Sequence, residues 1–222
     1  MQINFLYPMT VHATTKILRS ASWILICLLA IIIGFYPSLY FILGEKFGLL
    51  KSKPPALLTN LLWRIGFYAH IIPGGLALLI GWLQFSRKLR ERNVQWHRRL
   101  GKVYVIAVLI SSVAATCIGF TATGGPIAQT GFIGLGITWF TTTLLAYTTI
   151  RKGNTLQHER LMIYSYAASL AAVTLRLWLP LLVYELHFFI IAYRVVAWLC
   201  WVPNIFVAWL IARRLRPAVV RI

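Results

Sequence analysis

Six mainly apolar stretches, near residues 22–43, 61–85, 103–123, 127–150, 162–183 and 188–212, fill most of this 222-residue chain. A helix rising about 1.5 Å per residue needs about 20 such residues to cross a hydrocarbon core of about 30 Å. The stretches lack the alternation of lipid-facing strands, and backbone polar groups in lipid must be satisfied within the segment. The expectation is therefore an all-α, polytopic integral membrane bundle of six helices, one transmembrane domain over residues 1–222. The first stretch, SWILICLLAIIIGFYPSLYFIL, is longer than a signal-peptide core and has no small-x-small cleavage site behind it, so it reads as a retained helix.

Charge then sets the orientation. The net charge is +18, with four glutamates and no aspartate. Sixteen of the 22 basic residues fall before span one, between spans two and three, between four and five, or after six. Lys46, Lys51 and Lys53 lie on the opposite side, and Arg64, Arg176 and Arg194 fall inside spans. Basic residues collect on the cytoplasmic face, which predicts cytoplasmic termini. Interspersed with apolar runs, these charges do not form the solvated basic face that nucleic acid requires. Cys27, Cys117 and Cys200 are isolated in apolar sequence and read as small core residues, neither disulfides nor thiolate metal ligands. No G-x-S-x-G, H-E-x-x-H or paired acids support a hydrolase.

Ionisable residues inside a membrane are the functional pointers, because each needs a buried partner or a wet cavity. In span two, Gly66, His70, Gly74, Ala77 and Gly81 share one face, so something approaches His70 closely, either a neighbouring helix or a flat cofactor. Pro73 is expected to kink that span. In span five, His158, Met162, Ser165, Ser169, Ala172 and Arg176 form a second stripe, and in span three His97, Gly101, Tyr104 and Ser111 form a third. Counting from the helix ends puts Arg64, His70, Arg176 and Arg194 in the outer half, with only Glu185 nearby to balance them. Such an excess of positive charge favours an anionic ligand, a carboxylate or phosphate, and Arg64, Arg176 and Arg194 are its candidate binding residues.

Histidines on neighbouring helices are also how membrane cytochromes hold haem b, which makes His70, His97 and His158 candidate cofactor ligands, the metal being the haem iron. His97 and His158 match in depth at the inner face, where each opens a span in an H-x-R-L pattern, whereas His70 has no partner at its own depth. Two readings follow: a membrane-embedded binding or redox protein with an outer His/Arg site, or a transporter or accessory subunit that binds a carboxylate or phosphate without redox chemistry.

The strings QWHRRLGKVYVIAVLISS, HERLMIYSYAASLAAVTLRLWLP and YRVVAWLCWVPN resemble, over about residues 65 to 212, the bacterial family of predicted membrane proteins called domain of unknown function 2306. The resemblance marks His70, His97, Gly101, His158, Arg160, Met162, Arg176, Trp198, Trp201, Pro203 and Asn204. It implies a polytopic bacterial inner-membrane protein and brings no settled activity.

Overall fold

The computed structural model describes residues 9–44 and 47–215. Those residues are mostly helical, with no strand among them, and six segments are long and apolar enough to cross a membrane. Span one is α1 (Met9–Gly34) and α2 (Pro37–Leu43), within which Ser20–Leu43 is long and apolar enough to cross a membrane. A short helix, α3 (Pro55–Leu58), leads into span two, which is α4 (Leu61–Gly81) continued by a 3-10 turn, Trp82–Phe85. The surface helix α5 (Arg87–Arg92) precedes span three, α6 (Val94–Gly119), and span four is α7 (Pro126–Arg151). Span five is α8 (Thr155–Ser169) plus α9 (Ala171–Leu186); span six is α10 (Phe189–Leu199) plus α11 (Val202–Ala212).

Local chemistry explains these ends. Asn60, Asn93 and Asn154 each accept, through the side-chain carbonyl, a backbone N–H of the following first turn, the N-cap bond that satisfies an otherwise orphaned donor. The Asn93 cap starts α6 nine residues before the expected span, so His97 and Gly101 are helical. Gly124 and Gly125 take positive φ (102° and 73°) in the turn before α7, which Pro126 then opens.

Long-range contacts fix the up-and-down order. Lys53 Nζ donates to the Thr121 carbonyl (2.7 Å) and Ser52 Oγ lies 3.3 Å from Thr123 Oγ1, joining the one–two and three–four connections at one end. Arg194 Nε donates to the Gly124 carbonyl there (2.7 Å). At the other end, Arg90 meets Glu159 (3.4 Å) and Arg160 Nη2 donates to the Leu215 carbonyl (2.8 Å). The arginine-rich connections therefore share one end of the bundle, and the lysines of the 48–53 segment mark the other.

Packing runs α1–α4–α6–α7–α8 in sequence, with α9 and α10 paired and α11 against α8. The glycine stripe decides what approaches span two. A Cβ on Gly66 would lie 2.9 Å from Ile118, on Gly74 2.9 Å from Ser111 Oγ, and on Gly81 2.5 Å from the Tyr166 ring. Those atoms belong to α6 and α8, so the small residues admit helices. Gly75, off that stripe, lets α1 in: its Cβ would sit 2.6 Å from the Gly34 carbonyl oxygen. Cys200 is buried as expected, while Cys117 faces outward from α6.

The helix α4 continues unbroken through Pro73. Spans five and six are each broken, at Leu170 and at Cys200–Trp201. Side chains satisfy the carbonyls around both breaks. Asn204 Nδ2 donates to Ala167 O (3.3 Å) and Cys200 O (3.0 Å), and Thr174 Oγ1 also donates to Cys200 O. One asparagine thus ties the two breaks together, with Pro203 opening α11 beside it.

Candidate functional site

Between α4, α6, α7 and α9 lies a cavity of about 210 Å³, reaching from Lys53 at the lysine end to Ser169 near the middle of the bundle. Its wall is mostly apolar, and His70, Arg176 and Lys53 supply its cationic or titratable nitrogens. Among the described residues, no carboxylate lines it.

His70 is held by α6. Its Nδ1 lies 3.1 Å from the Ser111 carbonyl oxygen and 3.0 Å from Ser111 Oγ, while Ser111 Oγ donates to the His70 carbonyl (2.7 Å). A carbonyl only accepts and the Ser111 proton is engaged, so Nδ1 carries the imidazole hydrogen and Nε2 is left for another partner. Arg176 sits six residues past the break at Leu170. Its guanidinium lies 4.0 Å from the centroid of the Tyr36 ring, Nη1 donates to the Ala172 carbonyl (2.8 Å), and the buried Nε has no partner. Aromatic stacking replaces the carboxylate that an intramembrane arginine would otherwise seek. Lys53 completes the set from the loop, and burial pulls its ammonium pKa down from the usual 10.5 to about 8.

Below the cavity floor lies a buried hydroxyl network. Tyr104 OH lies 2.8 Å from Ser165 Oγ and 3.0 Å from Ser169 Oγ, Thr143 Oγ1 lies 2.6 Å from Ser165 Oγ, and the Trp139 indole N–H donates to Ser169 Oγ (2.9 Å). Thr143 Oγ1 and Ser169 Oγ also donate to backbone carbonyls, so every hydroxyl has a partner. The network closes α6, α7 and α8 around a polar but satisfied centre.

The candidate residues therefore separate. The cavity brings His70 and Arg176 together. Arg64 is exposed on the outside of α4, and Arg194, also exposed, is engaged with the 124–125 turn; neither lines the cavity. His187 is exposed and ends α9 in a left-handed conformation (φ 56°). His97 and His158 stand at the arginine-rich end, outside the cavity lining. His158 Nδ1 donates to the Ala146 carbonyl (2.8 Å), whereas His97 Nδ1 is buried without a partner. Among the described residues, no three His, Cys or Glu side chains converge as metal ligands.

Sequence reasoning missed Lys53, counted only as a loop charge, and Tyr36, the ring under Arg176. The Y-P-S-L-Y string at the end of span one was the available signal for the ring, since Pro37 bends the chain where both tyrosines can turn inward.

No curated protein and no solved structure matches the chain. The model of one family does, over residues 67–212, a segment that contains His70, the hydroxyl network, Arg176 and the Asn204 clamp. The chain accordingly belongs to the family of predicted membrane proteins DUF2306.

Proposed function

We propose that this protein is a membrane-embedded receptor for a small anionic ligand, held in the cavity by Arg176 and His70. The whole chain acts as one transmembrane domain in a bacterial inner membrane with cytoplasmic termini, as the gathering of basic connections at one end supports. The carrying observation is a permanently charged guanidinium in a mainly apolar cavity where no described carboxylate lines the wall. Insertion of an arginine at membrane depth costs about 2.5–3.5 kcal/mol. Stacking on Tyr36 offsets about 0.5–2 kcal/mol of that, and an anion hydrogen-bonded to the guanidinium would supply the remainder. The open Nε2 of His70, an acceptor while Nδ1 alone holds a hydrogen, gives the anion a second hydrogen bond by taking up a proton, so that both imidazole nitrogens donate.

A transport role is a second reading, favoured by the paired helix breaks. Discontinuous helices beside a mid-membrane site are how many transporters build a substrate site that can open to either side. Haem b fits poorly. The cavity volume of about 210 Å³ is under the roughly 300 Å³ at which pockets for drug-sized ligands begin, and among the described residues no other histidine, methionine or cysteine joins His70 there.

Thermal unfolding of the detergent-purified protein with small carboxylates or inorganic phosphate tests the proposal. Stabilisation of the wild type that Arg176→Gln abolishes is the expected result. If no anion stabilises the wild type, or if it purifies with a b-type haem spectrum that His70→Ala removes, the proposal is wrong. Uptake of the stabilising anion into proteoliposomes separates transport from binding alone.

A further inference from the structure

We infer that the ligand is a compact aromatic monocarboxylate, an inference that rests on the anion-binding reading above and specifies its chemistry. The anionic half follows from what Arg176 has left to offer. With one Nη1 hydrogen donated to Ala172 and Nε sealed in protein, the guanidinium keeps only its remaining terminal N–H groups for a ligand. Lys53, at the far mouth, already donates to the Thr121 carbonyl. A phosphate dianion, with three or more acceptor oxygens, would find too few donors, whereas one carboxylate is matched by Arg176 and a single additional contact.

The body of the ligand follows from the wall. Beside His70, six aromatic rings of the described residues border the cavity: Tyr40, Trp63, Phe67, Phe132, Trp139 and Tyr193. The polar edges of both indoles are turned to protein, Trp63 Nε1 donating to Thr121 Oγ1 (2.8 Å) and Trp139 Nε1 to Ser169 Oγ (2.9 Å), so carbon is what they show the cavity. The rings also fix one another. Trp63 and Phe67 stack at 5.4 Å, Phe67 meets Tyr40 edge-on at 5.2 Å, and Phe132 lies 5.3 Å from Tyr193. Ring walls held in this way are preorganised to receive another ring in stacked or edge geometry. At about 210 Å³ the space suits a single-ring acid and is too short for a long acyl chain.

The test is titration of the purified full-length protein with benzoate, hexanoate, benzamide and inorganic phosphate, read by calorimetry and by thermal shift. Benzoate should bind roughly 2- to 12-fold more tightly than hexanoate, the range expected for an aromatic contact beyond area burial. Benzamide, the uncharged isostere, and phosphate should bind at least tenfold more weakly than benzoate. Arg176→Gln should erase the preference for benzoate over benzamide, and Trp139→Leu should erase the preference over hexanoate while leaving the preference over benzamide. His70→Gln provides a second anion-site variant should Arg176→Gln fail to fold. Hexanoate or phosphate binding as tightly as benzoate would overturn the aromatic inference and leave the anion reading intact. Benzamide binding as tightly as benzoate would overturn the anion reading, and with it this inference. Binding of none of the four would refute both.

Discussion

The stitch between the two broken spans makes a quantitative prediction. In Asn204→Leu, Ala167 O loses its side-chain donor and Thr174 Oγ1 loses the amide 3.2 Å away, while Cys200 O keeps the Thr174 hydroxyl. Two interhelical hydrogen bonds disappear, each worth on average about 0.6 kcal/mol in a membrane interior and at most about 1.7. The expected destabilisation is about 1–2 kcal/mol. Thr174→Val removes that same amide contact together with one donor to Cys200 O, which Asn204 still serves at 3.0 Å, so about 1–2 kcal/mol is expected here too. The double variant differs in kind. It strands Cys200 O, a buried acceptor, and leaving such a group unsatisfied costs roughly 1–3 kcal/mol. The double-variant loss should therefore exceed the sum of the single losses by about 1 kcal/mol. Reversible unfolding in mixed detergent and dodecyl sulfate micelles measures all four corners of the cycle. Additivity within about 0.3 kcal/mol, the behaviour of independent sites, would show that Asn204 and Thr174 do not share the Cys200 carbonyl.

Other positions make independent predictions. Gly81→Ala puts a methyl 2.5 Å from the Tyr166 ring and should cost about 1–3 kcal/mol by overpacking, seen in the same unfolding assay. Tyr104→Phe removes the hydroxyl that links Ser165 and Ser169 and should cost about 1 kcal/mol. Lys53, depressed to about 8, is deprotonated in the folded protein over a window, from about pH 8 to about 10.4, in which the unfolded chain still holds the proton. The unfolded state binds more protons there, so stability should rise with pH across that window, and Lys53→Met should flatten the rise. His97→Gln, remote from the cavity, should leave carboxylate binding unchanged in the titration that His70→Gln weakens.

The architecture was largely legible because its determinants are local. Span length and the placement of arginines need no tertiary information, and the caps that extend α6 and α8 are written as Asn93 and Asn154. The stripe through Gly66, His70 and Gly81 was also legible as a close-packed face, yet periodicity names a face and not its occupant. Only the packed structure shows Ile118, Ser111 and Tyr166 filling that space. Arg64, Arg176 and Arg194 all fell in the outer half by depth, Arg64 somewhat shallower, but depth along a helix carries no information about azimuth relative to neighbours. Arg176 turns inward onto Tyr36, and the other two turn out. The break at Leu170 has no glycine or proline to announce it. It is sustained by Asn204, 34 residues on, a long-range partner that single-sequence reading cannot supply.

The breaks and the cavity meet at Arg176. His70 stands on α4, a helix unbroken from Leu61 to Gly81, whereas Arg176 stands on α9, which begins at the Leu170 break. A ligand that contacts both residues therefore spans a continuous helix and a hinged one. Binding can bias the hinge only through a difference in affinity between its states, and loosening the stitch should disfavour the arrangement in which Arg176 and His70 face one cavity. Asn204 does not line that cavity. Asn204→Leu should nonetheless weaken benzoate binding severalfold, whereas Gly34→Ala, which sets a methyl 2.6 Å from Leu79 at the α1–α4 contact, should not. If both variants bind benzoate as the wild type does, the breaks are static features of packing and the transport reading loses its structural support.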